Sequence, residues 1–89
     1  MFDHQAYYRQ LHSLLENGKP VWQAIITDTD GSTPARAGMH LAVPETGNPF
    51  GNIGGGNLEH RVIDMIRTER PERALLRKFD LDEEGMPLN

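Results

Sequence analysis

Hydrophobic residues near the N-terminus recur at the spacing of one helical face. They are Ala6, Tyr7, Leu11, Leu14 and Leu15. Asp3 is suited to cap this helix, with Phe2 and Tyr7 at the two positions of a hydrophobic staple. The helix should end at Asn17 and Gly18, because glycine accepts the left-handed conformation and the following Pro20 cannot continue a helix.

Four other segments have the pattern of β-strands. The β-branched and aromatic residues at 21–27 predict a largely buried strand. Residues 39–43 and 50–53 predict two more strands, joined into a hairpin by a turn rich in Pro and Gly. Residues 75–81 alternate well enough to predict an edge strand.

A second helix is predicted after the three consecutive glycines at 54–56. Its hydrophobic face consists of Leu58, Val62, Met65 and Ile66. Asn57 is the predicted N-cap, Glu59 lies in the first turn, and Pro71 ends the helix. The order of elements predicts an α+β fold, with a small, mostly antiparallel sheet flanked by two helices.

Composition narrows the class of protein. The 89 residues fit one small domain, 1–89, and the absence of cysteine excludes disulfide scaffolds, zinc ribbons, iron–sulfur clusters and thiol nucleophiles. A net charge of −4 argues against nucleic-acid binding. No apolar run is long enough to cross a bilayer and no signal peptide is evident, so we expect a cytoplasmic protein without membrane contact.

Neither a metal site nor a catalytic arrangement is predicted. The four histidines, His4, His12, His40 and His60, include no pair at i,i+4 spacing. No Ser/His/Asp order with flanking glycines occurs, so nucleophilic catalysis has no support in the sequence.

Glycines concentrate in the middle of the chain, where seven of the nine lie between residues 31 and 56. Gly54, Gly55 and Gly56 stand between a predicted strand and a predicted helix, so their backbone N–H groups could bind an anion at the helix N-terminus. The segment matches neither of the standard glycine-rich nucleotide motifs. Alternatively, these glycines only supply positive φ angles or allow close packing.

A second polar segment precedes the glycines. Ser32, Thr33 and Arg36 could offer hydroxyl groups and a guanidinium to a phosphate or to the edge of a pterin ring. The alternative is a turn that Pro34 rigidifies, with Arg36 in solvent. Glu59 also has two interpretations: it caps the helix, or it accepts a hydrogen bond from a ring N–H of a ligand.

Together, residues 28–39 and 51–59 resemble the N-terminal domain of the XdhC/CoxI family, accessory factors of xanthine dehydrogenase and related molybdenum hydroxylases. The resemblance extends over residues 5–81. It implies a maturation factor, not an enzyme, that binds molybdenum cofactor (molybdopterin) and assists its sulfuration and insertion. The cofactor-binding residues expected from the motifs and their neighbours are Ser32, Thr33, Arg36, Gly54, Gly55, Gly56, Asn57 and Glu59.

The resemblance also implies partners. These are xanthine dehydrogenase or a related molybdenum hydroxylase, with a cysteine desulfurase as a further candidate, and the small core is compatible with a homodimer. Two features depart from the family: Asn57 stands where many relatives have Cys, and we expect the chain to lack their C-terminal Rossmann-type domain. The alternative function is an interaction module that docks on the hydroxylase or sulfurase through residues 75–81 or an apolar patch, without binding cofactor.

Overall fold

The computed structural model describes residues 3–31 and 33–80, which form two helices and three strands. In chain order these elements are α1 (His4–Glu16), β1 (Val21–Ile25), β2 (His40–Pro44), β3 (Phe50–Gly51) and α2 (Gly56–Glu69). The strands lie in the order β1-β2-β3, and both pairs are antiparallel. The predicted α+β class and the predicted β2–β3 hairpin are therefore confirmed.

Local sequence determines both ends of α1. The Asp3 carboxylate accepts the Ala6 N–H at 3.0 Å, as an N-cap should. At the other end, Gly18 has φ of 68°, and the N–H groups of Gly18 and Lys19 bond to the carbonyls of Leu15 and Leu14, each at 3.0 Å. This is the Schellman pattern. The staple partner Phe2 lies outside the described residues.

The two helices cover opposite faces of the sheet. Leu41 and Val43 pack with the buried face of α2, whereas Ala42 packs with Tyr7 and Leu11 of α1. This alternation follows from the strand, in which successive side chains point to opposite faces. Among the residues that the structure describes, neither helix is long and apolar enough to cross a membrane.

The predicted N-cap of α2 is wrong. Gly55 occupies that position, with a positive φ of 143° and ψ of 152°, and Asn57 is the second helical residue. The first helical bond joins the Glu59 N–H to the Gly55 carbonyl at 3.0 Å. The helix starts earlier because glycine readily adopts this positive φ, which other residues disfavour.

The predicted edge strand is also wrong over residues 75–80, and Leu81 lies outside the described residues. The segment returns beside α2, where Arg77 donates to both carboxylate oxygens of Glu69 at 2.7 and 3.1 Å. Phe79 packs against the core, but Leu75 and Leu76 are 51% and 84% exposed. Two adjacent leucines interrupt the alternation that a half-buried strand requires.

Candidate functional site

The two glycine-containing motif segments meet at Ala35 and Gly54. A Cβ atom built on Gly54 would lie 2.6 Å from the Ala35 Cα, and Gly54 has φ of 112°. Ala35 is itself buried, at 4% exposure. Only glycine allows this close approach of two backbones. The contact brings Thr33 and Arg36, which lie two residues before and one residue after Ala35, near the start of α2.

Thr33 and Arg36 stabilise the first of these segments internally. The Thr33 hydroxyl accepts the Ala35 N–H at 3.2 Å. The Arg36 guanidinium donates through Nη1 to the carbonyls of Ala35, at 2.9 Å, and Thr33. These bonds use one of the three guanidinium nitrogens, so the side chain folds over its own loop while keeping donors for a ligand. Ser32 lies outside the described residues.

The second segment leaves the N-terminus of α2 open. Cβ atoms built on Gly55 or Gly56 would have no neighbour within 4 Å, and both residues are exposed. Within the described part of the chain, the N–H groups of Gly55, Gly56, Asn57 and Leu58 have no hydrogen-bond acceptor. The positive end of the helix dipole adds to these donors. An anion is the ligand that such an end favours.

Glu59 lies in the first turn of α2, and its side chain stabilises the loop that precedes the helix. Its Oε2 atom accepts the Ile53 N–H at 2.9 Å, and the side chain is half-buried. The neighbouring Asn52 accepts the Gly54 N–H at 2.7 Å. These two bonds hold the loop between β3 and α2. Asn57, by contrast, is exposed and makes no capping bond.

Sequence reasoning missed a cleft of about 660 Å³ between the N-terminal half of α1, residues 36–39 and the β3 segment through Asn52. Its lining comprises Asp3, His4, Ala6, Tyr7, Gln10, Arg36, Ala37, Gly38, Met39, Phe50, Gly51 and Asn52. Of the predicted site residues that the structure describes, Arg36 alone lines it. Six of the twelve lining residues, those at 36–39 and 51–52, lie in the motif segments, but their pattern does not indicate a cleft, which arises from the packing of α1 over β2 and β3.

Aromatic residues form one wall of the cleft. Tyr7 donates its hydroxyl to Gln23 Oε1 at 2.9 Å, and burial, with a smaller effect of Tyr8, raises the pKa of Tyr7 to about 12. The rings of His4 and His40 have centroids 5.8 Å apart. Burial and then the charge of His4 lower the pKa of His40 below its usual value. The Tyr7 ring lines the cleft but is only 4% exposed, so most of it belongs to the core.

Potential metal ligands are dispersed. Within residues 3–31 and 33–80, no three His, Asp or Glu side chains come together in a way that could hold a metal ion.

Comparison with known proteins adds one finding. The model of the XdhC and CoxI family matches residues 14–80, which include the three strands, α2 and both motif segments. No curated protein and no solved structure matches the chain significantly.

Proposed function

The chain belongs to the XdhC and CoxI family of accessory factors, and on this premise we propose that it binds molybdenum cofactor and assists the maturation of a molybdenum hydroxylase. Family membership fits a role in the maturation of enzymes of the xanthine dehydrogenase type. The finer steps, sulfuration of the cofactor and its insertion into the apo-enzyme, are part of the proposal. In this role the chain is not itself a catalyst.

The open N-terminus of α2 is the observation that carries the proposal. Molybdopterin ends in a phosphate, and the N–H groups from Gly55 to Leu58, which have no acceptor among residues 3–31 and 33–80, are donors of the kind that bind phosphate. Gly55 and Gly56 have no side chains to obstruct that approach. The residues present therefore fit this end of the cofactor.

The polar residues around Gly54 suit the polar pterin ring of the cofactor. Thr33 and the remaining donors of Arg36 lie beside the Ala35–Gly54 contact, within reach of a polar ring. Molybdenum itself would be held by the dithiolene of the pterin, because the chain has no cysteine. When bound, the cofactor supplies the metal centre of a hydroxylase, and the residues of this chain bind and orient it.

The proposed partners follow from the same premise. They are xanthine dehydrogenase or a related hydroxylase, and a cysteine desulfurase as sulfur donor. The alternative function, docking without cofactor, rests on a different observation: Leu75, Leu76 and Ile25 are at least half exposed. It no longer rests on an edge strand at residues 75–80.

Titration of anaerobically released molybdenum cofactor into the purified protein tests the proposal. We expect saturable binding that Gly55→Asp weakens at least about tenfold, because like-charge contact costs several kcal/mol. Gly47→Asp is the matched control: Gly47 also has a positive φ and an open Cβ position, but it lies in the β2–β3 turn.

Each outcome has a definite meaning. Binding that survives Gly47→Asp but not Gly55→Asp, with both variants folded by circular dichroism, supports a phosphate site at α2. Equal binding by both variants would mean that the cofactor does not bind at the glycine segment. No binding by the wild-type protein would overturn cofactor binding and favour the docking alternative.

A further inference from the structure

The cleft between α1 and β3 has the size and lining of a site for a flat ring. Its volume of about 660 Å³ is within the range typical of small-molecule sites, roughly 300–1,000 Å³. Phe50, which is half-buried, provides aromatic surface, and the buried ring of Tyr7 packs beside it, with ring centroids 5.5 Å apart and planes tilted by 55°. Met39 adds a flexible apolar side chain to the same lining.

Polar groups surround this apolar surface. Gln10, Asn52 and Arg36 offer amide and guanidinium groups, and Asp3 offers a carboxylate. One Asp3 oxygen accepts the Ala6 N–H, but a carboxylate has about four lone-pair positions. A pterin ring carries both N–H donors and nitrogen and oxygen acceptors around its edge. The lining therefore offers hydrogen-bonding partners of both kinds.

The cleft adjoins the N-terminus of α2. Asn52 lines the cleft and accepts the Gly54 N–H at 2.7 Å. Arg36 also lines it, and the adjacent Ala35 contacts Gly54. Consecutive Cα atoms are about 3.8 Å apart, so Gly56 lies within roughly 8 Å of Gly54. A single elongated ligand can therefore extend from the cleft to the open N–H groups.

We infer that the cleft holds the pterin ring of the cofactor while the N-terminus of α2 holds its phosphate. The inference rests on the proposed function and extends it to residues outside the two motif segments. Asp3, Gln10, Tyr7 and Phe50 then belong to the ligand site, and the pterin ring binds between α1 and β3.

A bulky substitution that fills the cleft tests whether the pterin ring binds there. Ala6 lines the cleft from the first turns of α1, whereas its neighbour Gln5 is exposed and does not line it. We expect Ala6→Trp to weaken the binding of released molybdenum cofactor at least about tenfold, measured by calorimetric titration, because the added ring occupies the ligand's volume. Gln5→Trp should change the affinity less than about twofold.

A second pair of variants tests the polar contact without a change of shape. Asp3→Asn keeps a good N-cap residue and removes the negative charge. We expect it to weaken cofactor binding by about fivefold or more, as loss of a charged hydrogen-bond acceptor does. Glu16→Gln, an exposed carboxylate change at the other end of α1, is the control and should leave binding unchanged.

The results separate this inference from the proposed function. If folded Ala6→Trp and Asp3→Asn bind cofactor as the wild type does while Gly55→Asp does not, the pterin inference is wrong and the phosphate site stands. If Gly55→Asp has no effect but Ala6→Trp abolishes binding, the cleft holds the ligand and the phosphate site is wrong. Absence of binding by the wild-type protein overturns both.

Discussion

The face of the sheet that α2 covers differs from the face that α1 covers in composition and in packing. Toward α2 the buried residues are aliphatic, and Leu41, Val43 and Ile53 are each no more than 2% exposed. Toward α1 the buried group consists of Tyr7, Leu11 and Ala42. The α1 side also carries the histidine and tyrosine cluster and the cleft.

We therefore expect the two faces to have different roles, stability on the α2 side and ligand binding on the α1 side. A closely packed aliphatic cluster supplies stability through burial of apolar surface. A face of aromatic and polar residues with an open cleft contributes less to stability and offers more to a ligand. The loop at Gly54 joins the two faces, because Ile53 faces the α2 side while Asn52 lines the cleft. Substitutions on the two sides should therefore have effects of different kinds.

The largest expected effect is on the α2 face. We expect Leu41→Ala to lower the free energy of unfolding by about 3 kcal/mol, since it leaves a cavity in a cluster that cannot collapse easily. Leu11→Ala, on the α1 face, should cost about 2 kcal/mol or less because its buried cluster is smaller. Urea unfolding at neutral pH measures both values.

Leu15→Ala is the control for these two variants. Leu15 is 57% exposed on α1, so its truncation should change stability by less than about 1 kcal/mol. Equal losses from Leu41→Ala and Leu11→Ala would contradict the proposed difference between the faces.

A smaller effect is expected where the two faces join. Gly54→Ala should cost about 2 kcal/mol, because its Cβ would collide with the Ala35 backbone and its φ is positive. Gly56→Ala is the matched variant: Gly56 is helical, and its Cβ position is open. This second substitution should raise stability by up to about 1 kcal/mol.

Thermal and urea unfolding distinguish the two glycines. If both substitutions were equally tolerated, the close contact between the motif segments at Ala35 would not be important for the fold. If Gly54→Ala alone is destabilising, its glycine is required for packing, whereas Gly56 is free to serve a ligand.

Local signals in the sequence predicted most of the fold. The Asp3 cap and the Gly18 end of α1 depend on residues within one turn, and both are confirmed. The three strands follow from apolar alternation and β-branched content, although two of them are shorter than predicted: β1 ends at Ile25 and β3 at Gly51. Cap preference predicts Asn57 as the N-cap of α2, because it takes no account of the positive φ available to Gly55.

Features that depend on tertiary packing were not predictable. The segment at 75–80 lies beside α2, where Phe79 packs against the core and Arg77 pairs with Glu69, and no local pattern indicates either contact. The cleft exists because α1 crosses β2 and β3 at Tyr7. The sequence marks Tyr7 only as one residue on the hydrophobic face of α1 and does not indicate a cleft beside it. The motif residues Thr33, Arg36 and Gly54 to Glu59 were marked by their pattern, and their role toward a cofactor remains a prediction.

The smallest expected effect concerns Tyr7, the residue shared by the core and the cleft. Its pKa is raised to about 12, so the folded protein keeps the phenol neutral while an unfolded chain ionises near pH 10. The stabilisation is complete below pH 10 and is lost as the pH rises toward 12. Tyr7→Phe should cost about 1 kcal/mol at neutral pH through loss of the bond to Gln23.

The test measures the free energy of unfolding of the wild type and of Tyr7→Phe in parallel from pH 8 to 12. The difference between the two proteins at each pH gives the contribution of the Tyr7 hydroxyl. The advantage of the wild type should shrink above pH 10 and be gone by about pH 11, because ionisation of the unfolded chain favours unfolding by about 1.4 kcal/mol for each further pH unit. A constant difference between wild type and Tyr7→Phe across this range would mean that the Tyr7 hydroxyl reaches solvent, and that the α1 face is open even at its centre.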